Sequence, residues 1–126
     1  MKKVLIVDDS ISFLLLAKEA LESEYKVEIF CDFSQIKDII SKIEGYMPDV
    51  LLLDINLGGF TGINVLEEMK KKSSISKIPV IFLTASDYNI INERLTKSEK
   101  NVMGFYSKLD PLEFIKEKIN SIISKE

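Results

Sequence analysis

Residues 50–57 read Val50-Leu51-Leu52-Leu53-Asp54-Ile55-Asn56-Leu57, four aliphatic residues without a polar break that end on an acid. An unbroken apolar run is the pattern of a strand buried on both faces, and sheets covered on both faces are built from parallel strands with crossover helices. The pattern recurs on either side. Val4-Leu5-Ile6-Val7 runs into Asp8-Asp9, Val80-Ile81-Phe82-Leu83 into Thr84, and the shorter Gly104-Phe105-Tyr106-Ser107 into Lys108. If these runs are neighbouring parallel strands, three carboxylates, a hydroxyl and an ammonium meet at one edge of a sheet. Those are the makings of a magnesium and phosphate site.

Between the runs the apolar period lengthens to that of helices. Strands are predicted near 3–7, 26–30, 50–53, 80–83 and 104–107, and helices over 11–23, 34–44, 62–72, 87–98 and 111–124. Five strand–helix units make an α/β sandwich. Local chemistry marks several boundaries. Asp110-Pro111-Leu112-Glu113 has the form of a helix start, with a capping acid, proline at the first helical position and glutamate at the third. Gly45 is expected to end the second helix before Pro48, while Thr61 and Ser86 are placed to cap the helices that follow them.

At 126 residues the chain is expected to form one domain, residues 1–126. The net charge of −3 offers no basic field for direct nucleic-acid binding. Lys70-Lys71-Lys72 reads as a solvated helix end, where cations suit the dipole. No apolar stretch is long enough to span a bilayer. The single cysteine, Cys31, fits a reducing, cytoplasmic setting. The sequence has no histidine, so any phosphohistidine donor must be another protein.

Two adjacent acids at a strand end could simply cap a helix. With Asp54 beside them their like charges repel unless a cation intervenes, and magnesium, which takes hard oxygen ligands, is the natural one. Asp54 itself could be a ligand or a nucleophile, since carboxylates accept phosphoryl groups as acyl phosphates. Lys108 and the metal would neutralise charge on the transferring group, and the Thr84 hydroxyl could donate to it. The glycine-rich loop Gly58-Gly59-Phe60-Thr61-Gly62 lacks the lysine of a nucleotide-binding loop and reads as a mobile turn.

These motifs resemble the receiver domain of bacterial two-component response regulators, over about Lys3 to Ser124. The resemblance rests on Asp8-Asp9, Asp54 within Leu51-Leu52-Leu53-Asp54-Ile55-Asn56-Leu57, Thr84-Ala85, and Gly104-Phe105-Tyr106-Ser107-Lys108, in this order. It implies a flavodoxin-like (βα)5 three-layer sandwich with a five-stranded parallel sheet of order 2-1-3-4-5. It also implies that Asp54 is the phosphoacceptor and that Asp8, Asp9, Asp54 and the Asn56 backbone carbonyl hold Mg2+. Thr84 and Phe105 would be the switch pair, and Lys108 would contact the phosphoryl oxygens. Thr61-Gly62 matches the small-residue-plus-glycine start of the third helix. The implied partners are a histidine kinase or histidine phosphotransfer protein and a downstream effector. Two positions depart from the family pattern. Leu109 stands where a cis-linked proline usually follows the lysine, so a trans bond or a rearranged turn is expected. Gly58 stands where proline is common, so a looser loop is expected.

On the first helix Phe13, Leu16, Ala17, Ala20 and Leu21 fit a core stripe. Leu15 then lies about 200° from Phe13, with Leu14 on the flank. Because the resemblance puts kinase or phosphotransfer docking on this helix, Leu14 and Leu15 are the expected docking residues. Two other functions compete with the phosphorylated switch. One is a receiver-like interaction module that works without phosphorylation. The other is a phosphatase passing through an aspartyl-phosphate, which would need a general acid where Asn56 stands.

Overall fold

A computed structural model of the chain describes residues 1–85 and 99–123. The helix predicted over 87–98, with its Ser86 cap, lies outside the described residues. Five strands follow in order: β1 Lys3–Val7, β2 Lys26–Phe30, β3 Val50–Asp54, β4 Val80–Thr84 and β5 Val102–Ser107. The described helices are α1 Ile11–Leu21, α2 Ile36–Tyr46, α3 Gly62–Lys70 and α4 Glu113–Ile123. All strand pairs are parallel and the sheet order is β2-β1-β3-β4-β5, the flavodoxin-like arrangement.

The central strands are apolar on both faces because both faces are covered. Leu5, Val7, Leu51, Leu53, Val80 and Phe82 pack on one side with Ile39 and Ile43 of α2 and Val65, Leu66 and Met69 of α3. Val4, Ile6, Val50, Leu52, Ile81 and Leu83 pack on the other with Leu14, Ala17 and Leu21 of α1 and Ile115 and Ile119 of α4. One residue's change in register would exchange these two sets, so the pairing of Val4 with Val50 and of Leu51 with Val80 is firmly specified. β5 begins two residues before its predicted start, and buried Val102 joins the first of these layers.

Helix ends show the capping chemistry directly. Ser10 Oγ accepts from Phe13 N at the start of α1, and Thr61 and Asn64 exchange side-chain-to-backbone bonds at the start of α3. Asp38 Oδ2 accepts from Ser34 N and Gln35 N, both at 2.9 Å, at the start of α2. Gly45 does not end α2, however. The helix continues two residues further than predicted, to Tyr46, and Met47 takes the left-handed position at φ 52°. The last helix starts at Glu113 rather than 111, preceded by tighter bonds from Phe114 N to Pro111 O and Ile115 N to Leu112 O. Lys70, Lys71 and Lys72 are exposed and pair with Glu99, Glu68 and Glu44. Among the described residues no helix is long and apolar enough to cross a membrane.

Candidate functional site

Parallel pairing puts the carboxyl ends of β1, β3, β4 and β5 side by side, and Asp8, Asp54, Thr84 and Lys108 stand there. Asp8, Asp9 and Asp54 each offer a carboxylate oxygen within 4.8 Å of the others. Asp8 is fully buried, Asp54 and Thr84 nearly so, and Asp9 is exposed. The Lys108 ammonium spans the two buried acids, 2.5 Å from Asp8 Oδ2 and 3.0 Å from Asp54 Oδ2. Thus the three acids and the lysine expected at one edge do meet there.

Each group is aimed by local backbone. Ser10 N donates to Asp8 Oδ1 at 2.9 Å, fixing that carboxylate at the entry to α1. Asn56 N donates to Asp54 Oδ1 at 3.1 Å, leaving Oδ2 to the ammonium. The Asn56 side chain is exposed on the lip of the site. Lys108 N donates to Thr84 O at 2.7 Å, which ties the lysine to the threonine's strand. Burial pushes the Asp8 carboxyl up, Asp54's charge adds to that, and the Lys108 ammonium and Ser10 amide pull against it. Burial works against the charge of Lys108 too, but its bonds to Asp8 and Asp54 outweigh burial and hold it above the ordinary lysine value.

The donor set suits a hard divalent cation. All the candidate ligands are oxygens, and they come from two buried carboxylates and one that faces solvent. Among the described residues buried Asp8 Oδ2 meets the Lys108 ammonium and no other donor. Such an oxygen has coordination capacity to spare, which fits magnesium held by one or two carboxylates with several waters.

The loop after Asp54 is tighter than the glycine at 58 suggested. Leu57 N donates to Phe60 O, Asn56 and Thr61 form an antiparallel bridge, and Gly62 N donates to Ile55 O at 2.7 Å. Gly58 supplies the turn's positive φ of 90°. Gly62 is glycine for a different reason: a Cβ there would stand 2.4 Å from the Asp54 carbonyl oxygen and 3.0 Å from the Phe82 ring. At the other departure the described backbone has no cis peptide. The turn instead closes through Asp110 N to Ser107 O and Leu109 N to Ser107 Oγ. Phe105, half-buried, stacks on Phe82 with ring centroids 5.6 Å apart.

On α1 the expected stripe is rotated. Leu14, expected on the flank as a docking residue, is fully buried, whereas Leu16, expected in the core, is 58% exposed. Leu14, Ala17 and Leu21 form the true inward row, at i, i+3 and i+7. Leu15 is exposed as expected, and with Ile11 and Leu16 it makes an apolar face beside the acids. Phe13 was not foreseen at the site, yet its ring centroid lies 5.0 Å from Lys108 Nζ. The available signal was its position three residues after Ser10, where the cap turns the first helical residues toward the acids.

Residues 4–123 match the family described as the response regulator receiver domain. The chain is 27% identical over 122 residues to a protein-glutamate methylesterase/protein-glutamine glutaminase of Halalkalibacterium halodurans, covering 96% of this chain and 34% of that protein. It spans about a quarter to a third of the length of such curated relatives. Among solved structures, the chemotaxis protein CheY4 of Vibrio cholerae superposes with a TM-score of 0.82 at 24% identity, covering 97% of this chain and 98% of that one. The N-terminal domain of the nisin resistance regulator NsrR gives 0.80 at 27% identity, covering 98% of both.

Proposed function

We propose that this chain, which belongs to the response regulator receiver domain family, is a phosphorylation-dependent switch with Asp54 as its phosphoacceptor. Receiver domains are the signalling modules of two-component systems, phosphorylated by histidine kinases or phosphotransfer proteins. The reading is carried by one observation, the gathering of Asp8, Asp9 and Asp54 around a common point with Lys108 bridging the two buried acids.

Receiver domains bind Mg2+ at an acidic pocket. Here Asp8, Asp9, Asp54 and the Asn56 backbone carbonyl would hold it, and when bound it supplies positive charge that neutralises the incoming phosphoryl oxygens. The chain's own residues do the rest. An Asp54 carboxylate oxygen attacks phosphorus, the P–N bond of the donor's phosphohistidine breaks, and the donor's imidazole leaves with the electron pair and picks up a proton. Lys108 moves from the carboxylates to the phosphoryl oxygens, and the Thr84 hydroxyl donates to one of them. Phe105 then repacks with Thr84, which shifts an existing equilibrium between two conformations and changes what a downstream effector meets. The exposed Ile11, Leu15 and Leu16 face of α1 docks the protein donor. The setting is the cytoplasm.

Incubation with acetyl phosphate and Mg2+ tests this reading. Intact-mass measurement should show the addition of one phosphoryl group, absent in Asp54→Asn and in EDTA; an unlabelled wild type overturns it. Leu15→Lys should slow transfer from a phosphorylated donor protein about tenfold while leaving acetyl phosphate labelling unchanged, and equal slowing of both would remove the docking role.

A further inference from the structure

We propose that Phe13 is a positioning residue for the Lys108 ammonium, its ring face keeping the cation at the site while its carboxylate partners change. The inference rests on Asp54 being the phosphoacceptor, and it adds a part that the acids and the lysine do not supply.

Phe13 packs against the edge of the core without being enclosed by it. It is half-buried, whereas Leu14, Ala17 and Leu21 face the sheet. Its ring lies on the third side of an ammonium whose other two sides meet Asp8 and Asp54. A cation within about 6 Å of an aromatic centroid is attracted by the electron-rich face. The ring's place is tied to the same acids. Asp8 Oδ1 accepts from Ser10 N, Ser10 Oγ accepts from Phe13 N, and the Phe13 ring returns to the ammonium that pairs with Asp8 Oδ2. Asp8, Ser10, Phe13 and Lys108 therefore form a closed circuit.

Phosphoryl capture requires that circuit to give at one point. Once Asp54 carries the phosphoryl group, its negative charge lies farther out and the ammonium must follow it. A third hydrogen-bond acceptor in place of the ring would hold the cation at one spot. An aromatic face attracts it without a fixed bonding direction, so the ammonium stays desolvated and attracted as it moves. For a cation so little exposed, the contribution corresponds to about a five- to thirtyfold change in rate.

The test replaces Phe13 with 4-fluoro-, 3,5-difluoro- and pentafluorophenylalanine, which keep the ring's shape and progressively remove its electron-rich face. With acetyl phosphate at saturating Mg2+, the labelling rate should fall stepwise, about five- to thirtyfold across the series. Phe13→Leu should match the pentafluoro variant, and Phe13→Trp should retain the rate. Magnesium affinity by calorimetry should stay within about twofold, since the ring supplies no ligand. In a Lys108→Met background the series should be flat. A pentafluoro variant that labels at the wild-type rate, or an equal slope without Lys108, overturns the proposal. If the wild type takes no label, the phosphoacceptor reading has failed instead. The ring–ammonium contact is then decided by urea midpoints of the same series: a stepwise fall only when Lys108 is present supports it, and a flat series rejects it.

Discussion

The β3–α3 and β5–α4 connections each carry one reactive group away from a strand end, and they hold it by different means. After Asp54, backbone bonds close the loop, and α3 begins so near that only glycine fits against the Asp54 carbonyl at position 62. After Lys108 the turn is a single span from Ser107 to Asp110, with Leu109 83% exposed. The lysine is fixed instead at its far end by Asp8, Asp54 and the Phe13 ring. The acceptor carboxylate is therefore placed by packing, and the cation by charge. Packing allows little movement, which suits a nucleophile; a charge-held side chain can follow a moving anion.

Gly62→Ala should strike hardest. Its Cβ would meet backbone rather than a flexible tip, so either α3 or Asp54 must shift, at a cost of about 3 kcal/mol in urea unfolding. Labelling of Asp54 should slow at least tenfold, because misplacing a reacting group is costly. Gly59→Ala, where an added Cβ meets nothing within 4 Å, is the matched control and should be close to neutral. Equal behaviour of the two would remove packing as the device that holds Asp54.

Asp8→Asn tests the other half of the contrast. Without magnesium the loss of one buried charge beside Asp54 should cost little or even stabilise, since Lys108 keeps Asp54 as a partner. The folded Asp8 carboxyl is raised above its ordinary 3.8, so the native state binds more protons than the unfolded chain over that interval. Wild-type stability should therefore fall as pH rises from 3.8 through the raised value, and Asp8→Asn should flatten that segment. With Mg2+ at a hundred times its dissociation constant the wild type should gain about 2.7 kcal/mol. The variant should lose most of that gain, as read from urea midpoints with and without EDTA.

The same division governs what could be read without coordinates. β1, β3 and β4 were legible because strands covered on both faces leave unbroken runs of apolar residues, and Asp8, Asp54 and Thr84 stand where those runs end. The rotation of α1 was not. Phe13-Leu14-Leu15-Leu16-Ala17 has no polar member to mark the outer face, so two rows fit equally, and the sheet selects Leu14 over Leu16. Gly45 was misread because glycine permits a helix end without requiring one, whereas Met47 takes the left-handed turn just before Pro48. The Phe13–Lys108 contact joins residues far apart in the chain and carries no local period at all.

The smallest expected effect bears most directly on the contrast. Tyr106 is 1% exposed, and its phenol donates to the Asp110 carbonyl, pinning the β5–α4 turn from below. Burial raises the phenol above its ordinary value, with Asp110 adding to the shift, so it remains a protonated donor. Tyr106→Phe keeps the ring among Ile115, Ile119 and Leu83 and removes only the hydroxyl. Asp110 is exposed, so water can replace the lost donor, and the cost should sit near the low end for a hydrogen bond, about 0.5–1 kcal/mol. Acetyl phosphate labelling should nevertheless proceed at the wild-type rate, because a cation held by Asp8, Asp54 and Phe13 does not need its turn to be rigid. A tenfold loss of labelling with so small a loss of stability would mean that the backbone aims Lys108 after all, and the two connections would then work alike.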